Sequence, residues 1–197
     1  MSPTPDTTAF AAAVLAGGRA IRMGADKAFL PWRGQRLLDR QLSVLRALGP
    51  AELLVSGRPG VDYNVAGVHL VLDHVADQGP LGGLAAVLEA TTASHVVLLA
   101  VDLPAMTPGF LRRMLAHRRP GVGAVARTAS GWEPLAAVYP REILPLVRER
   151  LARHELALHF LLSAAVAGGW LLPVEATADD LRLLTNLNTP ADIAAHE

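Results

Sequence analysis

Short apolar runs alternate along this chain with longer segments of helical period. Four runs in the first half are short, apolar and mostly closed by Gly, Asp or Ser, which predicts strands. They are Phe10–Ala16, Glu52–Val55, His69–Leu72 and His95–Val101. Apolar residues recur with helical spacing in Arg36–Leu48, Gly82–Ala90 and Phe110–His117. This alternation favours an α/β fold in which helices cover a mostly parallel central sheet.

The second half of the chain is less regular. Gly123–Arg127 and Leu135–Tyr139 have the pattern of strands, and Arg141–Arg153 has that of a charged surface helix. The sequence leaves open whether these strands pair in a parallel or an antiparallel way. Near the C-terminus, Asn188-Thr189-Pro190 is typical of a helix cap with proline in the first turn.

One stretch is long and apolar enough to be compared with a membrane span. Residues 156–174 carry no charge over 19 positions, close to the ~20 that cross a bilayer. Its glycines and proline indicate instead a buried helix to about Val166, a stop at Gly168-Gly169 and a strand over Trp170–Val174. We therefore expect no membrane association.

Composition narrows the class of protein. The 197 residues predict one domain over residues 9–197, after a flexible leader of residues 1–8 that lacks a signal-peptide pattern. Basic and acidic residues number 18 each, so non-specific binding to nucleic acid is not expected. With 51% apolar residues the chain is not disordered. The absence of cysteine excludes disulfides and thiolate chemistry, which fits the cytoplasm.

The first predicted strand leads into a glycine-rich loop with three cations. Glycines such as Gly17 and Gly18 let backbone N–H groups approach phosphate oxygens without hindrance from a Cβ. Arg19, Arg22 and Lys27 add positive charge within nine residues. A loop at the carboxyl end of a central strand opens into the ligand crevice of a doubly wound sheet. The segment therefore predicts a triphosphate site, with a spacing that is not that of the P-loop.

Two acidic residues end predicted strands at the same edge of the sheet. Asp102 follows His95–Val101, and Asp73 follows His69–Leu72. A carboxylate in this position can hold Mg²⁺, which keeps waters and takes further ligands from phosphate oxygens. Considered alone, either acid is equally typical of a turn.

A second glycine-rich segment, Gly79–Gly83, opens the helix that follows. Amides at a helix N-terminus have no partner within the helix, so they are available to a base edge, a ribose or an anion. Gly82 is therefore a candidate nucleotide contact, and an ordinary turn is the alternative interpretation.

Taken together in chain order, these motifs resemble the molybdenum cofactor guanylyltransferases, known as the MobA family. The resemblance rests on LAGGRAIRMGADKAFLPWRG, Asp73, GPLGGL, AVDLP around Asp102, EPLAAVY and NLNTPAD, and it covers about residues 12–193. It implies a Rossmann-like, three-layer nucleotidyltransferase fold. It also implies a Mg²⁺-dependent transfer of GMP from GTP to the phosphate of molybdopterin cofactor, with release of pyrophosphate.

The resemblance further implies roles for individual residues. Catalysis is expected from Lys27, Arg19 and Asp102, with Asp102 as the metal ligand. The expected nucleotide contacts are Leu15, Ala16, Gly17, Gly18, Lys27, Ser56, Asp73, Gly82 and Asp102. Ser56 stands where the family usually has asparagine. Asn186 and Asn188 are expected to face the pterin.

Two alternatives stay open. One is the same fold and reaction with CTP or another phosphate acceptor, and the other is a non-catalytic nucleotide-binding protein. An acceptor phosphate is already an anionic nucleophile, so in-line attack depends on positioning and charge neutralisation more than on a general base.

The expected partners are GTP, molybdopterin cofactor and, transiently, proteins that deliver molybdopterin or mature molybdoenzymes. A monomer or weak oligomer is expected.

Overall fold

The computed structural model describes residues 9–17, 26–72, 78–187 and 192. Strands and helices alternate along these residues. Its strands are β1 (Ala11–Leu15), β2 (Pro31–Trp32), β3 (Gln35–Arg36), β4 (Glu52–Gly57), β5 (His69–Leu72), β6 (His95–Ala100), β7 (Gly123–Thr128), β8 (Gly131–Pro140) and β9 (Leu171–Glu175). Its helices are α1 (Leu37–Arg46), α2 (Gly79–Ala90), α3 (Pro108–Ala116), α4 (Leu144–Ala152), α5 (Leu158–Ala167) and α6 (Ala178–Leu183). The predicted leader and the predicted cap at Asn188-Thr189-Pro190 lie outside the described residues.

Within the described ranges, seven strands form one sheet in the order β5-β4-β1-β6-β8-β7-β9. β8 is antiparallel to both of its neighbours, while the other strands of this sheet run in one direction. The predicted mostly parallel sheet is thus confirmed. The sequence left open how the strands of the second half pair: β8 pairs antiparallel with β6 and β7, whereas β7 pairs parallel with β9. β2 and β3 form a separate hairpin.

Alternate residues of β1 face opposite layers of helices. Ala12 and Val14 pack in the cluster that includes α1 and α3, whereas Ala11 and Ala13 pack in the cluster that includes α2, α4 and α5. All four are fully buried. A strand buried on both faces is a continuous apolar run without polar alternation. The three-layer α/β arrangement is therefore confirmed.

Several boundaries differ from the prediction. The predicted helix Arg141–Arg153 is a 3₁₀ turn over Arg141–Ile143 followed by α4, because Pro145 has no N–H to donate and occupies the first turn of a new helix. α2 begins at Gly79, three residues before the predicted start, with Pro80 in its first turn. β8 begins at Gly131 because it pairs with β7 up to the turn between them.

The uncharged stretch 156–174 divides as predicted. α5 ends at Ala167, Gly169 follows with a φ of 76°, and β9 begins at Leu171. A glycine in this left-handed region commonly terminates a helix because it has no Cβ to clash. In the part of the chain that the structure describes, no helix is both long enough and apolar enough to cross a membrane.

Helix α6 is absent from the sequence prediction, and a capping box begins it. The Thr177 side chain accepts from the amide of Asp180, and Asp180 Oδ2 accepts from the amide of Thr177 at 2.7 Å. Asp180 Oδ2 also accepts from Arg113 of α3 at 2.6 Å, which ties α6 to the sheet-covering layer. Burial raises the pKa of Asp180, but the hydrogen bonds from Arg113 and Thr177 outweigh it and hold the pKa below its usual range.

We expect Asp180→Ala to lower the free energy of unfolding by about 1–3 kcal/mol at pH 7, because Arg113 and Thr177 lose a buried acceptor. The folded-state pKa lies below the unfolded value of about 3.9, so this contribution is present above that pH and is lost as pH falls through the folded-state pKa. Urea titrations should show a smaller difference in the free energy of unfolding between the variant and wild type at pH 3 than at pH 7. Asp179→Ala, an exposed neighbour, is the control. A difference of equal size at both pH values would contradict the assignment.

Candidate active site

The carboxyl ends of β4, β1 and β6 form the switch point of the sheet. The chain runs outward from β1 to β4 and β5 and then crosses to β6 on the other side of β1. Ligands of open α/β sheets bind in the crevice where such connections diverge. Leu15 at the end of β1 is paired with Ser56 of β4 and Ala100 of β6. The residues that follow these three therefore surround one crevice.

Two backbone hydrogen bonds continue the parallel ladder past β1. The amide of Ala16 donates to the carbonyl of Ser56 at 2.8 Å, and the amide of Val101 donates to the carbonyl of Leu15 at 3.1 Å. Leu15, Ala16 and Ser56 are buried and Gly17 is half-buried. These bonds fix the direction in which the chain leaves β1 toward the glycine-rich loop.

Lys27 and Asp102 meet at this crevice although they are 75 positions apart in the sequence. Lys27 Nζ donates to Asp102 Oδ2 at 3.0 Å, and the side chains are 17% and 18% exposed. Charges that are partly removed from water interact more strongly than charges on an open surface. Among the described residues, the crevice therefore holds a cation that can bind phosphate oxygens and a carboxylate beside it.

The second oxygen of Asp102 is suited to a cation. Asp102 Oδ1 is buried and has no hydrogen-bond partner within the described ranges. A buried carboxylate oxygen without a donor is costly unless it gains a partner, and a hard divalent cation such as Mg²⁺ is one that carboxylates bind. Asp102 is thus the described residue that could hold a metal here.

The segment that carries Asp102 is held by its backbone. Gln41 of α1 is fully buried, and its Nε2 donates to the carbonyls of Ala100 at 3.1 Å and of Leu103 at 2.7 Å. The amide of Leu187 donates to the carbonyl of Asp102 at 2.9 Å. These contacts fix the backbone on both sides of the carboxylate, so Asp102 is positioned in advance of any ligand.

The turn that carries Lys27 is held by its neighbour. Asp26 Oδ1 accepts from the amide of Ala28 at 3.0 Å and so caps the 3₁₀ turn Lys27–Phe29. Asp26 Oδ2 accepts from Arg58 at 2.7 Å, and the Asp26 side chain is only 6% exposed. Arg58 directly follows β4, and its hydrogen bond to Asp26 raises the pKa of its guanidinium. The ion pair thereby ties the turn of Lys27 to the sheet.

Residues 12–166 match the family model described as the MobA-like NTP transferase domain. The chain belongs to this family. The match spans the sheet from β1 through β8, and so includes both Lys27 and Asp102. The resemblance drawn from the motifs is therefore confirmed for the MobA-like family.

Relatives of this MobA-like chain carry consistent names. A probable molybdenum cofactor guanylyltransferase of Opitutus terrae is 37% identical over 95% of this chain and 94% of its own length. A molybdenum cofactor guanylyltransferase of Pseudomonas putida is 35% identical over 90% of this chain and 92% of its own length.

Solved structures share the fold of this family member. The molybdopterin-guanine dinucleotide biosynthesis protein A of Archaeoglobus fulgidus superposes with a TM-score of 0.75 at 18% identity, covering 95% of this chain and 96% of its own. The 2-C-methyl-D-erythritol 4-phosphate cytidylyltransferase of Thermus thermophilus superposes with a TM-score of 0.65 at 20% identity, covering 93% and 95%. At these identities the likeness establishes the nucleotidyltransferase fold.

The placement of Gly82 corrects one expectation. It lies inside α2 and is buried, and its amide donates to the carbonyl of Gln78 at 3.3 Å. The expectation that this amide is free is therefore wrong, because α2 begins before it. A Cβ at position 82 would lie 2.7 Å from the Cβ of Gln78, so packing alone accounts for glycine here. A contact between Gly82 and the nucleotide stays a prediction.

Other predicted residues differ in how far the structure describes them. Asn186 is exposed and directly precedes Leu187, whose amide reaches the carbonyl of Asp102, so it lies close to the crevice. Five predicted residues lie outside the described ranges: Gly18, Arg19, Arg22, Asp73 and Asn188.

Two supporting residues were missed by the sequence analysis. Gln41 interrupts a stripe of leucines on α1, and a polar residue on an otherwise apolar helix face was the signal that could have identified it. Arg58 gave no comparable signal, because its partner Asp26 is 32 positions away. Gln41 positions Asp102 through hydrogen bonds to the backbone on both sides of it, and Arg58 positions Lys27 through its ion pair with the neighbouring Asp26.

We expect Gln41→Met to lower the free energy of unfolding by about 1–3 kcal/mol, because two buried carbonyls lose their donor. Methionine keeps the length of the side chain and fits an apolar environment. Chemical denaturation measures the effect, and Gln35→Met at an exposed glutamine is the matched control. Equal stability of the two variants would contradict a structural role for the Gln41 contacts.

Proposed function

We propose that this protein transfers GMP from GTP to the phosphate of molybdopterin cofactor and releases pyrophosphate. The names of relatives that align along at least nine-tenths of the chain support this reaction. The observation that carries the proposal is the contact of Lys27 Nζ with Asp102 Oδ2 at 3.0 Å, at the switch point of a nucleotidyltransferase fold. It unites a phosphate-binding cation with a cation-binding carboxylate.

Mg²⁺ is the cation that fits Asp102 under this proposal. The unpartnered, buried Oδ1 supplies a hard oxygen ligand, and Mg²⁺ typically uses one or two carboxylates together with water and substrate phosphates. Bound there with GTP, the ion would neutralise negative charge on the phosphate oxygens.

Lys27 supplies the chain's own charge neutralisation. Its Nζ would donate to a phosphate oxygen of GTP, where negative charge increases as the bond from the α-phosphorus to the pyrophosphate oxygen breaks. The new bond forms between an oxygen of the acceptor phosphate and the α-phosphorus, and pyrophosphate leaves with the electron pair of the broken bond. A fixed electrostatic contact of this kind contributes about 3–4 kcal/mol to the transition state.

Lys27 is the only lysine in the chain, while the other 17 basic residues are arginines. An ammonium is a compact point charge, whereas a guanidinium is a broad planar fork. Arginine at position 27 is therefore not an equivalent replacement.

We expect Lys27→Ala and Asp102→Asn each to lower kcat about 10²–10³-fold in an assay of pyrophosphate release with GTP, Mg²⁺ and molybdopterin cofactor. Lys27→Arg should be little more active than Lys27→Ala. Arg141→Ala, at an exposed arginine beside the amino end of β6, is the control and should retain wild-type turnover. Near-normal turnover of Asp102→Asn or Lys27→Arg would contradict the assigned roles.

The single lysine also permits a direct test of nucleotide choice. An amine-reactive reagent can modify only Lys27 and the N-terminal amine, which peptide mass spectrometry separates. We expect GTP with Mg²⁺ to protect Lys27 at lower concentration than CTP or ATP does, with the N-terminal amine as the internal control. Preferential protection by CTP would favour the alternative of a cytidylyl transfer.

A further inference from the structure

A pocket of about 570 Å³ lies beside the active site, within the size range of roughly 300–1,000 Å³ that small-molecule sites occupy. Its walls come from the β2–β3 hairpin, from α1, from the segment after Asp102 and from α6. We call it the arginine pocket, because Arg33, Arg40 and Arg182 all line it.

The arginine pocket concentrates positive charge in a chain that is neutral overall. Among the residues that the structure describes, its lining includes these three arginines and no Asp or Glu. Burial and the charge of Arg33 both lower the pKa of Arg40, so the guanidinium groups repel each other. Within the described ranges Arg182 has no carboxylate partner, and Arg40 donates to the backbone carbonyl of Met106 at 3.0 Å. An anion in the pocket would relieve this repulsion.

The start of α3 adds to the positive potential of the pocket. Thr107 lines the pocket and caps α3, since its side chain accepts from the amide of Phe110 at 3.4 Å. The first amides of a nine-residue helix carry partial positive charge that favours anions. The N-cap of α3 thus borders the volume that the three guanidinium groups line.

The pocket shares its walls with the segments that hold Asp102. Pro104, two residues after Asp102, lines it, and so does Thr185, two residues before Leu187. The amide of Leu187 donates to the carbonyl of Asp102 at 2.9 Å. A ligand in the pocket would therefore lie against the backbone that positions the carboxylate.

We propose that the arginine pocket binds an oxyanion group of the acceptor substrate, separately from the triphosphate that Lys27 binds. The assignment to the acceptor rests on the proposed function, whereas the oxyanion site rests on the pocket itself. Guanidinium groups bind phosphate-like oxyanions through paired N–H donors in a fixed plane. The nearly buried Trp32 ring at the pocket wall lies under the guanidinium of Arg33, at 5.2 Å from ring centroid to Cζ, and so favours its position there.

Binding of inorganic phosphate tests the site without reference to activity. Titration calorimetry is carried out on the full chain with saturating GTP and Mg²⁺ and no acceptor, so that the triphosphate site is filled. We expect saturable binding of phosphate by wild type, at least fivefold weaker binding by Arg182→Ala and Arg33→Ala, and unchanged binding by Arg141→Ala. Thermal unfolding checks that each variant is folded. No saturable binding by wild type, or equal binding by Arg182→Ala, would overturn the oxyanion site.

Steady-state kinetics then identifies the source of the anion. If it belongs to the acceptor, Arg182→Ala should raise the KM for molybdopterin cofactor at least fivefold and leave the KM for GTP within twofold. Loss of phosphate binding with an unchanged acceptor KM would overturn the assignment to the acceptor and assign the site to free phosphate or pyrophosphate. If wild type transfers no GMP to molybdopterin cofactor, the proposed function fails, while the calorimetric result still decides the pocket.

Discussion

The hydrogen bond from the amide of Val101 to the carbonyl of Leu15 joins the ends of β1 and β6, the two central strands, just before the backbone segments that follow them diverge. Beyond this bond, the segment after β1 enters the glycine-rich loop, and the segment after β6 reaches Asp102. The parallel ladder fixes these two exits relative to each other, and this is why Lys27 and Asp102 can meet at 3.0 Å across 75 positions. Charges held this way need little rearrangement when a reaction begins, which is the basis of electrostatic preorganisation.

The ion pairs of the described residues do not all serve the same task. Arginines hold segments together, as Arg58 does with Asp26 and Arg113 does with Asp180, through hydrogen bonds of 2.7 and 2.6 Å. These carboxylates are nearly buried, so removal of the arginine from either pair would leave a costly buried charge. The one lysine stands instead beside a carboxylate whose second oxygen is unpartnered among the described residues. The described side chains of the crevice therefore form an ion pair that leaves one carboxylate oxygen open to a ligand.

The sequence could predict those parts of the fold that depend on local pattern. A strand such as β6, buried on both faces, is visible as an apolar run, and Asp102 is visible because it ends that run. The break before α4 depended on Pro145, a local signal that the prediction passed over. Contacts such as Gln41 with Ala100 and Leu103 depend on which helix face lies under which strand end, and that follows only from the assembled sheet. The order of the strands and the ion pair of Arg58 with Asp26 could not be predicted from the sequence, because they too follow only from the assembled sheet.

The shared fold also limits what the central crevice can specify. A molybdopterin-guanine dinucleotide biosynthesis protein of Archaeoglobus fulgidus and a cytidylyltransferase of Thermus thermophilus, whose names give different products, superpose on 95% and 93% of this chain. A scaffold common to different reactions cannot by itself select the acceptor, so selection has to come from side chains mounted on it. Segments that border Asp102 without forming the parallel ladder are the natural place for them. The hairpin of β2 and β3, the helix α1 and the helix α6 are such segments, and they bring together Arg33, Arg40 and Arg182.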